Sequence, residues 1–168
     1  TQRIVHQYPH CWRCKNPILF RATEQWFCSV DAIKEKAIEE INKVQWIPGW
    51  GRDRITAMVE DRKDWWISRQ RRWGVPIPIF YCKDCGEPLI DKAVMMHISG
   101  IFAQEGSDAW YAKPESELLP AGTACKKCGG TSFEKERDIM DVWFDSGVTH
   151  AAVADQRPEL HWPADLYL

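Results

Sequence analysis

The sequence has no run of 18 apolar residues, and this absence argues against a membrane-spanning segment. It opens with no positively charged stretch leading into an apolar core, so no secretory signal is predicted. It also lacks internal repeats, low-complexity tracts and a glycine-rich phosphate loop. The net charge of −2 argues against a protein that coats nucleic acid, although a local basic patch remains compatible with it. We therefore expect a globular protein with no membrane partner.

The composition is that of a folded chain: 168 residues, of which 45% are hydrophobic and 27% are charged. This length suits one domain, or one domain that carries a small insertion. Thr1 stands first in place of methionine, and residues 165–168 resemble the start of a strand. We expect a fragment of a longer chain on these grounds; the alternative is a processed protein with these termini.

Six of the seven cysteines form three Cys-x-x-Cys pairs, and two of these pairs predict a metal site. Two intervening residues let both sulfurs of a tight turn face one tetrahedral ion, and a glycine follows the second and third pairs. We predict a closed structural zinc site that clamps the base of a small insertion, in preference to disulfides or a redox pair. Its four ligands would be Cys82, Cys85, Cys125 and Cys128.

The remaining pair, Cys11 and Cys14, has no second pair within the sequence. Either its metal-binding partners belong to another part of a longer chain, or the two thiols are buried; we favour the first alternative. Cys28 lies in an apolar run and is predicted to be a core thiol.

Residue patterns predict a mixture of helices and strands, and thus an α/β fold. A buried strand is predicted around residues 26–28, and Asp31 is predicted to cap the helix that follows. Residues 75–80 contain two prolines and should form an edge strand or an extended entry into the metal site. A returning strand is expected over residues 138–144, followed by a polar turn at 145–147. The predicted helices cover residues 32–44, 52–62, 92–104 and 115–119.

Residues 64–74 alternate aromatic and cationic side chains, and this composition has two interpretations. Such surfaces stack on or clamp nucleic acid or a nucleotide. The alternative, which composition alone favours, is that the indoles lie in the core and the arginines pair with carboxylates.

Four separated strings resemble those of one family, in the same order along the chain. The strings are YPHCWRC at residues 8–14, RATEQWF at 21–27, WISRQRRWGVP at 66–76 and DVWFDSG at 141–147. They resemble bacterial isoleucyl-tRNA synthetases, which are class I enzymes. The valyl and leucyl enzymes share the third string and remain alternatives, but the last string favours the isoleucyl type.

The resemblance implies a partial Rossmann-like catalytic domain with a zinc-binding insertion. Residues 1–80 would follow the editing insertion, residues 81–137 would form the zinc insertion, and residues 138–168 would return to the catalytic domain. The full-length enzyme would use isoleucine, tRNA(Ile) and ATP with magnesium, and would act in the cytoplasm as a monomer. The HIGH and KMSKS motifs of the family are absent from this sequence, so we expect the segment alone to be inactive.

Residue roles carry over only where the strings match. Trp143 would border the amino-acid pocket, where an indole offers a flat apolar wall; simple core packing is the alternative. Cys11 and Cys14 match half of a second zinc site of the family. No catalytic residue is nominated, because activation relies on positioning and electrostatic stabilisation. Arg69, Gln70 and Arg71 would organise the fold or face tRNA.

Two other functions compete with this interpretation. The first is a zinc-ribbon module that binds nucleic acid through a set of cations, namely Arg71, Arg72, Lys83, Lys126 and Lys127. The second is a purely structural zinc domain.

Overall fold

A computed structural model of the chain describes residues 3–166. The strands are short, and they are β1 Phe27–Cys28, β2 Trp65–Trp66, β3 Ser68–Arg69, β4 Phe80–Cys82, β5 Pro88–Leu89, β6 Phe133–Lys135 and β7 Ile139–Met140. The helices are α1 Asp31–Ile41, α2 Trp50–Glu60, α3 Lys92–Glu105, α4 Ala109–Ala112, α5 Glu115–Leu118 and α6 Val142–Gly147. A π-helical turn follows at His150–Ala154.

Within residues 3–166 the strands form three small antiparallel sheets. β1 pairs with β2, β3 pairs with β7, and β4 lies between β5 and β6. Long-range pairs thus bring residues 27, 66 and 68 close to the returning chain at residue 140. The described residues are mixed α/β, and the Rossmann-like arrangement stays a prediction.

The main hydrophobic core lies between residues 80 and 133. Phe80 and Trp110 are fully buried, with ring centroids 4.9 Å apart, and α3 and α5 close the cluster with Ile98 and Leu118. Two of the predicted metal ligands, Cys82 and Cys125, belong to this cluster. The candidate metal site is therefore packed into the same hydrophobic core that joins residues 80–133.

The helices α1 and α2 contact each other but contain no fully buried residue. Ile33, one of the apolar residues of α1, is 60% exposed. Both helices begin earlier than predicted, and α1 ends at Ile41 in place of residue 44. The helices predicted at 92–104 and 115–119 are confirmed to within one residue, whereas α4 was not predicted.

Several local predictions are wrong. The strand predicted to be buried is exposed at Phe27 and Cys28, because β1 pairs only with β2 and no other described element covers that edge. Asp31 is the first residue of α1 and makes an ion pair with Lys34 in place of a cap. The strand predicted over residues 138–144 stops at Met140, because the side chain of Asp141 accepts a hydrogen bond from the backbone N–H of Trp143 and starts a helix. Residues 145–147, predicted as a polar turn, belong to that helix.

Residues 75–80 form the predicted extended entry: Val75 and Ile77 exchange backbone hydrogen bonds with residues 138–140, and β4 begins at Phe80. A strand was expected at residues 165–168, but Tyr167 and Leu168 lie outside the described residues. Thr1 also lies outside them. No helix within residues 3–166 has both the length and the apolar character needed to cross a membrane.

Candidate functional site

Four cysteine sulfurs converge at the base of the unit formed by residues 80–137. The Sγ atoms of Cys82, Cys85, Cys125 and Cys128 all lie within 4.8 Å of one another. Cys82 Sγ is 3.5 Å from Cys128 Sγ, and Cys85 Sγ is 3.6 Å from Cys125 Sγ. We call this group the four-cysteine cluster; among the described residues it is the one set of three or more possible metal ligands that meets at a point.

The two turns that carry these sulfurs have the same backbone geometry. The N–H of Gly86 donates to the carbonyl of Cys82, and the N–H of Gly129 donates to that of Cys125, each at 2.8 Å. Gly86 and Gly129 have φ angles of 72° and 76°, a region that side chains with a Cβ enter at a cost. The glycine after each pair is thus the feature that lets the turn close and present both sulfurs to one side.

The electrostatics of the four-cysteine cluster favour a bound cation. Backbone N–H groups of Cys128 and Lys127 lower the pKa of Cys125 to about 7, which favours a thiolate at that position. The N–H of Gly130 lowers the pKa of Cys128, but the neighbouring thiols of Cys85 and Cys82 outweigh it and raise this pKa to about 12. Four sulfurs this close cannot all ionise unless a positive ion neutralises them. The donor set therefore fits a divalent metal that prefers four thiolates, and zinc is such a metal.

Two ion pairs connect the second cysteine turn to residues that follow the first one. Lys126 Nζ lies 2.7 Å from Asp91, and Lys127 Nζ lies 2.8 Å from Glu87. These lysines were candidates for a nucleic-acid surface, but each faces a carboxylate of its own chain. Such exposed pairs contribute little stability, yet they reduce the positive field that a phosphate backbone would need.

The pair Cys11 and Cys14 adopts the same kind of turn as the four-cysteine cluster. The N–H of Cys11 donates to the carbonyl of Asn16, and Lys15 donates to that of Cys11 at 2.9 Å. Lys15 takes the glycine position with φ of 63°, a strained value for a side chain with a Cβ. The backbone N–H groups of Cys14 and then Arg13 lower the pKa of Cys11. Within the described residues, no other ligands complete this half-site.

Trp143 lies in the first turn of α6, and its side chain is 71% exposed in this segment. Asp141, the residue that caps α6, is by contrast only 3% exposed. Its Oδ2 accepts from Trp65 Nε1 at 2.8 Å and faces Arg69 Nη2 at 3.0 Å. Burial first, and the charge of Asp141 second, raise the pKa of Asp145 on the same helix. Sequence patterns did not identify Asp141 as a site residue, since its partners lie far away along the chain.

A second polar network connects residue 26 to the unit that carries the four-cysteine cluster. Trp26 Nε1 donates to Glu136 Oε2 at 2.9 Å and to Tyr81 Oη at 3.0 Å, and the Tyr81 hydroxyl donates to the same carboxylate. Burial, and next the hydrogen bond to Glu136, raise the pKa of Tyr81. Burial opposes ionisation of Glu136, but its hydrogen bonds from Tyr81 and from backbone and indole N–H groups lower its pKa overall. This network was also missed by sequence patterns.

Each of the two interpretations of the cationic and aromatic segment at residues 64–74 fits one part of it. Trp65 and Arg69 bond to a buried carboxylate, as the structural interpretation expects. Trp73 is 92% exposed, whereas Arg71 and Arg72 line an open groove of about 790 Å³ together with acidic residues. The segment therefore serves the fold at its start and reaches the surface at its end.

Comparison with known protein families identifies the class of protein to which the chain belongs. The family described as "tRNA synthetases class I (I, L, M and V)" matches residues 12–168. The chain belongs to this family of class I tRNA synthetases.

Individual relatives of the chain show which member of this class it resembles. The chain is 61% identical over its full length to isoleucine–tRNA ligase of Caldicellulosiruptor saccharolyticus. It is 61% identical to that of Moorella thermoacetica and 63% identical to that of Syntrophotalea carbinolica, each over 98% of the chain. These relatives are all isoleucine–tRNA ligases, so the valyl and leucyl alternatives are not favoured. The chain spans 18% of the length of each relative.

Proposed function

We propose that this chain is a segment of an isoleucine–tRNA ligase, an enzyme that activates isoleucine with ATP and transfers it to tRNA(Ile). The observation that carries the proposal is the identity of 61% over the whole chain to ligases of that name. Residues 68 and 69 of the third string pair with residues 140 and 139, which directly precede the last string. This pairing supports the view that the strings act as one unit of a catalytic domain.

Within this proposal, residues 1–80 and 138–168 belong to a Rossmann-like catalytic domain and residues 81–137 form an inserted zinc unit. The confinement of the main core to residues 80–133 supports these boundaries. The four-cysteine cluster would hold one zinc ion, which cross-links the two ends of the insertion and takes no part in chemistry. Cys11 and Cys14 would supply half of a second zinc site.

Trp143 would form one wall of the isoleucine pocket. Its indole is exposed and stands at the start of a helix whose cap is fixed, so it is available to a ligand rather than packed in the core of this segment. An apolar wall selects a branched side chain by its size, but isoleucine and valine differ by only one methylene. Such discrimination is worth about 10- to 200-fold, and enzymes of this family are the standard worked example of that limit.

The remaining expectations follow from the proposed activity. ATP would enter with magnesium, the protein would act in the cytoplasm as a monomer, and the segment alone would have no activity. The competing zinc-ribbon function is weakened because Lys126 and Lys127 are paired with carboxylates.

The test of Trp143 is isoleucine-dependent ATP–pyrophosphate exchange by the full-length protein that contains this chain. We expect Trp143→Ala to lower kcat/KM for isoleucine about tenfold or more, since one pocket wall is lost. Trp50→Ala is the matched control, because Trp50 is also the exposed tryptophan of a helix start, with 63% exposure. An unchanged KM and kcat in Trp143→Ala would return this residue to a packing role.

A further inference from the structure

Asp141 joins three segments of the chain at the start of the helix that carries Trp143. Its backbone N–H donates to the carbonyl of Ile67 at 2.7 Å, so the residue is anchored beside β3. Its carboxylate accepts from Trp65 Nε1 at 2.8 Å and pairs with Arg69 at 3.0 Å through Oδ2, while Oδ1 accepts from the backbone N–H of Trp143 at 3.4 Å. A single buried side chain thus links β2 and β3 to the first turn of α6.

Arg69 is itself held in one orientation. Its Nη1 donates to the carbonyl of Trp66 at 2.6 Å and to that of Ser68 at 2.9 Å. Its guanidinium also lies 5.0 Å from the centroid of the Trp66 ring. Because groups of both β2 and β3 fix this cation, it offers Asp141 a rigid partner rather than a mobile surface charge.

Trp65 contacts α6 in two ways. Its N–H bonds to the cap residue, and its ring lies 6.1 Å from that of Phe144, the residue after Trp143. Moving the start of α6 would break the hydrogen bond and the ring contact together. If the buried Asp141 carboxylate lost its contacts with Trp65 and Arg69, its burial would still cost free energy, and no partner would offset that cost.

We propose that Asp141, held by Trp65 and Arg69, is a positioning residue for amino-acid recognition, because it fixes the place of the Trp143 indole against the side chain of isoleucine. This inference rests on the proposed role of Trp143 as a pocket wall. Asp141 does not contact the substrate in this account. A displacement of about 1 Å in a positioning element can cost on the order of 100-fold in kcat/KM, so the effect is measurable.

The experiment measures ATP–pyrophosphate exchange with isoleucine and with valine in the full-length ligase that contains this chain. We expect Asp141→Ala to raise the KM for isoleucine about tenfold or more, to change kcat less, and to leave the KM for ATP unchanged. The preference for isoleucine over valine should fall, because a displaced Trp143 indole no longer contacts the extra methylene of isoleucine. Asp141→Asn keeps the Oδ1 acceptor and should lie between the wild type and Asp141→Ala.

A double-mutant cycle tests whether Trp65 acts through Asp141. Trp65→Phe removes the N–H but keeps an aromatic ring, so it should shift the isoleucine KM in the same direction by a smaller factor. In the Asp141→Ala background it should have no further effect. Asp91→Ala is the matched control: Asp91 caps α3 within the zinc unit, and its loss should leave the isoleucine KM and the preference unchanged.

The outcomes separate this inference from the proposed function. If Trp143→Ala raises the isoleucine KM while Asp141→Ala lowers only the amount of active enzyme, the positioning role is wrong and the pocket role stands. If Trp143→Ala itself changes nothing, both the pocket role and the positioning role are wrong. Equal effects of Asp91→Ala and Asp141→Ala on the isoleucine KM would also overturn the inference.

Discussion

The sharpest test of the metal site is the removal of one sulfur from the four-cysteine cluster. Cys82 is 1% exposed and belongs to the main core, whereas Cys28 is exposed and belongs to no cluster. Serine is close in size to cysteine but is a poor ligand for zinc, so Cys82→Ser should abolish metal binding with little change in volume. Cys28→Ser is the control for loss of a thiol outside the four-cysteine cluster.

The magnitude follows from the chain length that the metal closes. Cys85 and Cys125 are 40 residues apart, and a cross-link over a loop of that length restricts the unfolded chain by about 4 kcal/mol in the chain-entropy view. Domains are stable by only about 5–15 kcal/mol, so loss of this link removes a large share. We therefore expect a much lower melting temperature for Cys82→Ser and for wild type treated with a chelator.

The assay combines metal analysis with thermal unfolding. In the 168-residue segment, the wild type and Cys28→Ser should each carry about one zinc when purified without chelator. Chelation should destabilise both of them, but should leave Cys82→Ser unchanged because that variant has no metal to lose. Zinc-free wild-type protein, or equal stability of Cys82→Ser and the wild type, would refute the metal site.

Three further predictions concern other parts of the chain. Brief alkylation of the zinc-loaded 168-residue segment, which lacks the partners proposed for Cys11 and Cys14, should label these two thiols and the exposed Cys28 while the four-cysteine cluster is protected, and mass spectrometry would show equal labelling of all seven thiols if this is wrong. Hydrogen bonds hold the pKa of Glu136 below its ordinary value of 4.5, so its contribution to stability is complete above that pH and is lost as the pH falls through the lower folded value; unfolding of Glu136→Gln should lack this acid-dependent loss. Lys15→Gly should raise the free energy of unfolding by about 1 kcal/mol, as measured by denaturant titration, because glycine tolerates the positive φ; an unchanged or lower value would contradict the strain argument.

The parts of the site that depend on local spacing could be predicted from the sequence. Two cysteines and a following glycine specify their own turn, so each pair could be recognised without knowledge of the rest of the fold. The helices α3 and α5 were also predictable, because their start signals and apolar spacing lie within a few residues.

Features that depend on distant partners could not be predicted. Trp65 and Asp141 are 76 residues apart, and Trp26 and Glu136 are 110 residues apart, so neither network leaves a local pattern. The burial of Cys28 was predicted wrongly for the same reason, since an apolar run does not reveal which element covers it. The strand predicted through Asp141 was wrong because a cap residue competes with strand-forming neighbours.

The most direct test of the proposed function is ATP–pyrophosphate exchange by the full-length protein that contains this chain, measured with each of the twenty amino acids. We predict exchange that depends on isoleucine, with weaker exchange in the presence of valine, and none when the 168-residue segment is assayed alone. Exchange that depends on leucine or on another amino acid in place of isoleucine would show that the proposed function is wrong, and activity in the segment by itself would show that its extent is wrong.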